Sequence, residues 1–302
     1  MPVADCHLCG TTSELQNSHV VPAFAYRWLR ETSGNGHLRS SRNPNLRVQD
    51  GPKERWLCLN CEANFNQSET AFASRIFHPY LQESGQRLRY GAWLLHFCAS
   101  LSWRTLHYHT QNETTNEFAP HLTSSIELAE STWRDYLLGR LPHPGEFRQH
   151  LVPVDRIESA SARLSPNINR YLMRAVQIDL CHGDDTLFTF TKLGRFIVLG
   201  FINEPNPNNW TGSRINANHG TVEPRDLTMP AAFMGYLNNK ADSMAGVTGS
   251  ISDRQQKKID DAFNSNLDRM IGSDFFDSMS ADVEMFGSMA FHENQGTGRN
   301  EP

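Results

Sequence analysis

The strongest constraint on this chain is a pair of C-x-x-C knuckles near its N-terminus. Cys6-His7-Leu8-Cys9 is the first and Cys58-Leu59-Asn60-Cys61 the second. Four thiolates at about 2.3 Å around a tetrahedral ion suit zinc and fill its coordination sphere, so such a site is structural. Any chemistry then lies beside the ion. Only six cysteines are present, and four of them fall in these two pairs. Two other readings of the knuckles are buried thiol pairs and a redox motif. The redox reading needs a βαβ context that surrounds neither knuckle. Zinc on Cys6, Cys9, Cys58 and Cys61 is the expectation.

A chain of 302 residues suggests about two domains and can bury a core without disulfides. No apolar run reaches the roughly 18 residues of a membrane span. The greasiest stretch, Arg89 to Leu101, is too short and carries His96. Met1-Pro2-Val3-Ala4-Asp5 lacks the basic region and apolar run of a secretory signal. Cys98 and Cys181 sit among apolar neighbours and read as buried free thiols. Free thiols and zinc thiolates together point to a cytoplasmic protein.

Net charge is −5, yet residues 1–110 hold 11 Lys and Arg against 8 Asp and Glu. The positive charge gathers between the knuckles, at Arg27, Arg30, Arg39, Arg42, Arg47, Lys53 and Arg55. Clustered arginine matters more than whole-chain charge for phosphate contact. A solvated loop face is the plainer reading of the same charges.

Along the chain, Val20-Val21 reads as the end of a short strand that Pro22 terminates. Residues 23–30 form an amphipathic helix with Phe24 and Trp28 inward. Leu38 to Lys53 is polar and loop-like, and Arg55-Trp56-Leu57 leads as a strand into the second knuckle. A helix runs from about Glu62 to Phe77, stopping before His78-Pro79. On it Glu62, Asn66 and Glu69 share one face, spaced i, i+4, i+7. Further helices are expected over 81–109, 124–141, 231–245 and 253–270. Residues 186–191 and 195–202 read as a β-hairpin about Lys192-Leu193-Gly194. Residues 169–181 fit helix or strand. From about Ser288 the composition is that of a disordered tail. No P-loop, dinucleotide glycine pattern or Gly-x-Ser-x-Gly elbow is present.

The order C-x-x-C, Ser18-His19-x-x-Pro22, C-x-x-C and then a helix at once resembles the HNH endonuclease family, over about residues 6–75. That resemblance implies a zinc-stabilised ββα-metal module, a hairpin laid against a helix around a catalytic divalent ion. It implies that His19 is the general base. It places Glu62 at the position of a metal ligand usually filled by histidine. Ser18 stands where the family usually has an acidic residue, and the family's middle asparagine has no counterpart at Lys53-Glu54-Arg55.

The chemistry of the residues agrees with that assignment. One histidine and one hard cation can supply the base, the phosphate charge stabilisation and the leaving-group help of phosphodiester hydrolysis. Glu62 and Asn66 offer oxygen ligands suited to Mg²⁺ or Mn²⁺. Arg39, Arg42 and Arg47 are the expected phosphate contacts. Against this, His19 alone is an ordinary core histidine, and Glu62 with Glu69 an ordinary helix start favoured by the macrodipole. His37, His78, His107, His109, His143, His182 and His219 are scattered, with no role assigned.

The expected fold class is α+β: a zinc-knuckle HNH-like module over 1–78, a mainly helical region with a small antiparallel hairpin over 79–287, and a tail over 288–302. The expected function is a metal-dependent nuclease acting on nucleic acid, DNA foremost, as a phage-defence or mobile-element component. Its C-terminal region would meet a protein partner, and no membrane is involved. The alternative is a non-catalytic zinc-binding adaptor that docks nucleic acid or protein.

Overall fold

The computed structural model describes residues 3–39, 43–112, 120–160, 163–183, 185–223 and 227–291. Around the first knuckle β1 (Val3–Asp5) pairs antiparallel with β2 (Thr12–Glu14). Next come β3 (Ser18–His19), α1 (Ala23–Glu31), β4 (Leu38–Arg39), β5 (Arg47–Val48) and β6 (Lys53–Glu54). α2 (Leu59–Phe72) starts inside the second knuckle and passes through a π turn, Ala73–Phe77, into α3 (His78–Gln82). β7 (Leu88–Gly91), α4 (Trp93–Asn112), α5 (Pro120–Leu137), β8 (Gln149–Pro153) and α6 (Ile168–Arg174) follow. Then come β9 (Val176–His182), β10 (Leu187–Leu193), β11 (Phe196–Asn203) and β12 (His219–Val222). The described part closes with α7 (Ala231–Gly249), α8 (Asp253–Asn264), α9 (Leu267–Ile271), α10 (Asp274–Phe286) and a 3-10 turn at Gly287–Phe291.

These elements belong to two compact units, each assembled from separate stretches of chain. The first comprises Met1–Ala25, Gly51–Val154 and Val176–Pro230, the second Tyr26–Asp50, Asp155–Ala175 and Ala231–Pro302. A single boundary near residue 78 therefore does not describe the chain. Nor does α2 belong to a module that ends there, because Phe72 stacks on Phe97 of α4 at 4.1 Å between ring centroids.

The core of the first unit is built on α4, whose Leu94, Phe97, Cys98, Leu101, Trp103 and Leu106 are all buried. A helix apolar on most sides must be covered on most sides. α2 and α5 cover it, together with the sheet. That sheet is four-stranded and antiparallel, in the order β8-β11-β10-β9. The expected hairpin is its centre, with Phe190 opposite Leu199 and Leu193 opposite Phe196. Gly194 turns it at φ +56°, a left-handed conformation that glycine adopts without a Cβ penalty. Strand β8 escaped the sequence reading because it is buried along its whole length and lacks alternation.

The second unit packs α6 against α7 and α10. Asp282 of α10 is fully buried, and its carboxylate accepts from the Asn169 and Arg170 backbone N–H groups at 2.7 and 3.1 Å. It also pairs with the Arg170 Nε at 2.9 Å. The start of α6 is thus capped by a side chain more than a hundred residues away.

Several expected elements differ in the structure. The helix expected over 81–109 is instead α3's end, the strand β7 and α4. Leu88 and Tyr90 are buried while Arg89 is exposed, a period of two, and β7 pairs with β12. The helix from the second knuckle does not stop before His78. The π turn shifts the hydrogen bonding by one residue, and Pro79 is placed at the first turn of α3. Proline cannot donate there and needs no partner there. Residues 169–181 are both of the alternatives, α6 and then β9. The helix expected over 253–270 breaks between α8 and α9, where Asn266 caps α9 by accepting from the Arg269 N–H. Of the expected tail, residues 288–291 form the 3-10 turn and Ala290 is buried. The rest of it lies outside the described residues. Among those described, no helix is long and apolar enough to cross a membrane.

Candidate metal centre

The first knuckle is a tight turn closed by backbone bonds. Gly10 N–H donates to the Cys6 carbonyl at 2.8 Å and Cys6 N–H to the Thr11 carbonyl at 3.0 Å. Gly10 sits at φ +78°, which carries the chain out of the turn. The second knuckle is the start of a helix. Cys58 is the residue before α2 and Cys61 lies in its first turn, with Glu62 N–H donating to the Cys58 carbonyl at 3.0 Å. Backbone bonds join the two knuckles, from His7 N–H to Trp56 and from Gln16 N–H to Leu57, each at 2.8 Å.

This brings four sulfurs together. The Sγ atoms of Cys6, Cys9, Cys58 and Cys61 all lie within 4.8 Å of one another. Cys9 and Cys58 stand 3.9 Å apart, close to the ~3.8 Å edge of a tetrahedron with zinc–sulfur bonds near 2.3 Å. The Cys58 N–H donates to the Cys6 sulfur at 3.3 Å, as suits a thiolate. The donor set and its spacing fit a metal ion such as zinc. Burial raises the Cys6 and Cys61 thiols. Burial also opposes ionisation of Cys9, but hydrogen bonds from Thr11, Cys6 and Cys61 prevail and lower it to about 6. Cys9 is the least buried of the four. It faces a cavity of about 640 Å³ lined also by Thr11, Glu14, Asn60, Asn64 and Leu137.

The first knuckle rests on an aromatic stack. His107 lies flat on Trp103 at 5.0 Å and edge-on to Trp56 at 4.8 Å, with its Nε2 2.7 Å from His7 Nδ1. Burial lowers His107 to about 4, helped by His7 and Arg134, so its imidazole is neutral at ordinary pH. Trp56 is core.

Beside the cluster, β3 pairs antiparallel with β6, Ser18 opposite Glu54 and His19 opposite Lys53. Strand alternation turns Ser18 inward, where it is buried, and leaves His19 half-buried. The Ser18 Oγ has no hydrogen-bond partner among the described residues. On α2, Glu62 is half-buried and Asn66 exposed. One Glu62 oxygen, Oε2, is buried without a hydrogen-bond partner among the described residues. Asn64 turns inward instead, its Nδ2 3.3 Å from both the Leu137 carbonyl and His96 Nε2.

One residue that sequence reasoning passed over joins strand to helix. Arg104 of α4 is almost fully buried. Its Nη1 donates to the His19 carbonyl at 3.0 Å, and its Nη2 meets Glu69 Oε1 at 2.7 Å. The guanidinium lies over the Phe65 ring at 5.2 Å. A lone arginine inside an apolar helix was the available signal, since such a charge is buried only when paired. Among the described residues, the four cysteines are the sole group of three or more His, Cys, Asp or Glu side chains placed to hold a metal.

Of the expected phosphate contacts, Arg39 and Arg47 lie opposite each other on β4 and β5 in the second unit. Arg42 lies outside the described residues. Comparison with protein-family models, with curated proteins and with solved structures found no match.

Proposed function

We propose that this chain is a zinc-stabilised nuclease that hydrolyses phosphodiester bonds in nucleic acid, with its reacting groups on the strand–helix face beside the four cysteines. The observation that carries this reading is the order of elements. The strand bearing His19 pairs antiparallel with β6, and the chain then enters α2 through the second knuckle. That β-β-α order is what the resemblance to HNH endonucleases implies. The buried Glu62 Oε2, without a hydrogen-bond partner among the described residues, supports it, because such an oxygen is costly unless a donor or a cation meets it.

In this reading His19 takes the proton of the attacking water. The new P–O bond forms as the P–O bond to the leaving sugar oxygen breaks, and that oxygen takes up a proton. Arg104 holds the strand by its backbone, donating to the His19 carbonyl. Glu62 and Asn66 would hold Mg²⁺ or Mn²⁺, which when bound supplies charge stabilisation on the phosphate. A component of phage defence or of a mobile element remains the proposed setting.

A second reading has its own observation. His19, Glu62 and Glu69 do not gather as a ligand set, which favours a non-catalytic adaptor. Incubating zinc-loaded protein with plasmid and with RNA, in Mg²⁺ or Mn²⁺, decides between them. Loss of a general base costs roughly 10²–10⁴-fold in rate, so His19→Ala should abolish cutting while zinc content stays intact. Glu62→Ala should raise the Mg²⁺ or Mn²⁺ concentration needed. A His19→Ala protein that cuts like wild type overturns the assignment. Wild type that binds nucleic acid and cuts nothing in any metal supports the adaptor.

A further inference from the structure

Three arginines of the second unit have no carboxylate partner among the described residues. β4 and β5 form a two-stranded ladder in which Arg39 is directly opposite Arg47. Like charges facing each other across a ladder destabilise it. Arg39 is half-buried and held in place, its Nη1 donating to the Pro44 carbonyl at 2.6 Å and its Nη2 to Gln255 Oε1 at 3.4 Å. Arg47 is exposed.

A third guanidinium arrives from far along the chain. Arg269 of α9 is exposed, with its Nε 3.4 Å from the Ser33 carbonyl and its Nη2 3.5 Å from the Glu31 carbonyl. It lies so close to Gly36 that a Cβ there would stand 3.1 Å from its Nη2. His37 is next in sequence, exposed, with its backbone N–H on Asn35 Oδ1 at 3.1 Å. Its imidazole is held below the ordinary range by partial burial and then by Arg47, Arg39 and Arg269. Burial and Arg47 lower Arg39 likewise. Arg39 and Arg269 spend their hydrogen bonds on carbonyls and an amide, which orient a guanidinium without cancelling its charge. Among the described residues, none of the three arginines has a carboxylate partner.

We propose that His37, Arg39, Arg47 and Arg269 together form a phosphate-binding site for the backbone of a nucleic acid. This deepens the nuclease reading and rests on it for the choice of nucleic acid. Two of the four side chains are exposed arginines, one on a surface ladder and one on a surface helix. That suits the run of phosphates along a strand, where affinity accumulates over several phosphates and carries no sequence information. Two guanidiniums already oriented by the protein have less freedom to lose on binding.

The test is fluorescence anisotropy of a labelled DNA duplex, bound to full-length, zinc-loaded protein without added Mg²⁺ or Mn²⁺, as salt is raised. Each phosphate left without its arginine should flatten the slope of log K against log salt by about 0.9. Arg47→Gln and Arg269→Gln should each do so, and the double variant by about twice as much. Arg47 has no hydrogen-bond partner to lose among the described residues, so its variant keeps the fold. Lys257→Gln, at an exposed lysine paired with Asp261 on α8, should leave the slope unchanged. Slopes equal to wild type in both arginine variants overturn the site. Displacement of the duplex by inorganic phosphate or a mononucleotide at equal phosphate concentration overturns the backbone as ligand. Equal competition by polyglutamate reduces the patch to unselective cations and overturns it too. Cleavage is scored separately: flattened slopes with no cutting leave this site standing and the nuclease reading refuted, while cutting with unchanged slopes does the reverse.

Discussion

Arg104→Met should be among the most damaging single changes in the first unit. Arg104 is 3% exposed and Glu69 17%, so the pair is largely removed from water. Methionine keeps most of the volume of the side chain and removes its donors. The Glu69 carboxylate then loses its cation at 2.7 Å, and the His19 carbonyl loses a donor at 3.0 Å. Breaking a buried pair from one side costs roughly 3–5 kcal/mol. Glu69 retains some water, so about 3 kcal/mol is the expectation. Glu69→Gln keeps an acceptor but leaves the Arg104 cation buried without its counter-charge, which should cost about 2 kcal/mol. The variant with both Arg104→Met and Glu69→Leu should recover most of the loss, since no unpaired charge remains. Urea unfolding of zinc-saturated protein, followed by tryptophan fluorescence, measures all three; Trp103 adjoins Arg104 and reports the region. An Arg104→Met loss below about 1 kcal/mol, or a double variant no better than the single one, would refute the clamp. If the proposed nuclease activity falls in Glu69→Gln by more than its loss of stability accounts for, the clamp also sets the position of His19.

Purified protein should hold one zinc per chain by elemental analysis, and Cys61→Ser should lose it and unfold the first unit, since zinc supplies on the order of 10 kcal/mol in small sites. Cys98, fully buried with its thiol pushed up, should stay inert to a thiol reagent in zinc-loaded protein and become reactive once a chelator removes the zinc. The pH dependence of stability should carry a mark of Glu204. Burial alone would raise its carboxyl, but His150 and Arg148 more than offset this and hold it below the ordinary range. A folded-state pKa below the unfolded one means stability fully present above the unfolded value and lost as pH falls through the folded one. Melting temperature should therefore drop less steeply between about pH 5 and pH 3 in Glu204→Gln; an unchanged slope would count against the pair.

What the sequence alone determined are features whose physics is local. The four cysteines were legible because a C-x-x-C turn places two sulfurs on one ion within a few residues. α1, the β10–β11 hairpin and the helix after Cys61 followed from periodicity and turn residues that act over similar spans. The Glu62, Asn66 and Glu69 face was legible as spacing, but spacing does not say which member meets solvent. Packing against α4 and α5 decided that, leaving Asn66 outside, Asn64 on the Leu137 carbonyl and Glu69 on Arg104. Strand β7 depended on a partner, β12, more than a hundred residues later. The link from His19 to Arg104, the cap that Asp282 places on α6, and the approach of Arg269 to Ser33 and Gly36 all join distant segments. A charged side chain finds its partner through the fold. No local propensity encodes that partner, because desolvation and Coulomb energy depend on distance in space and not along the chain.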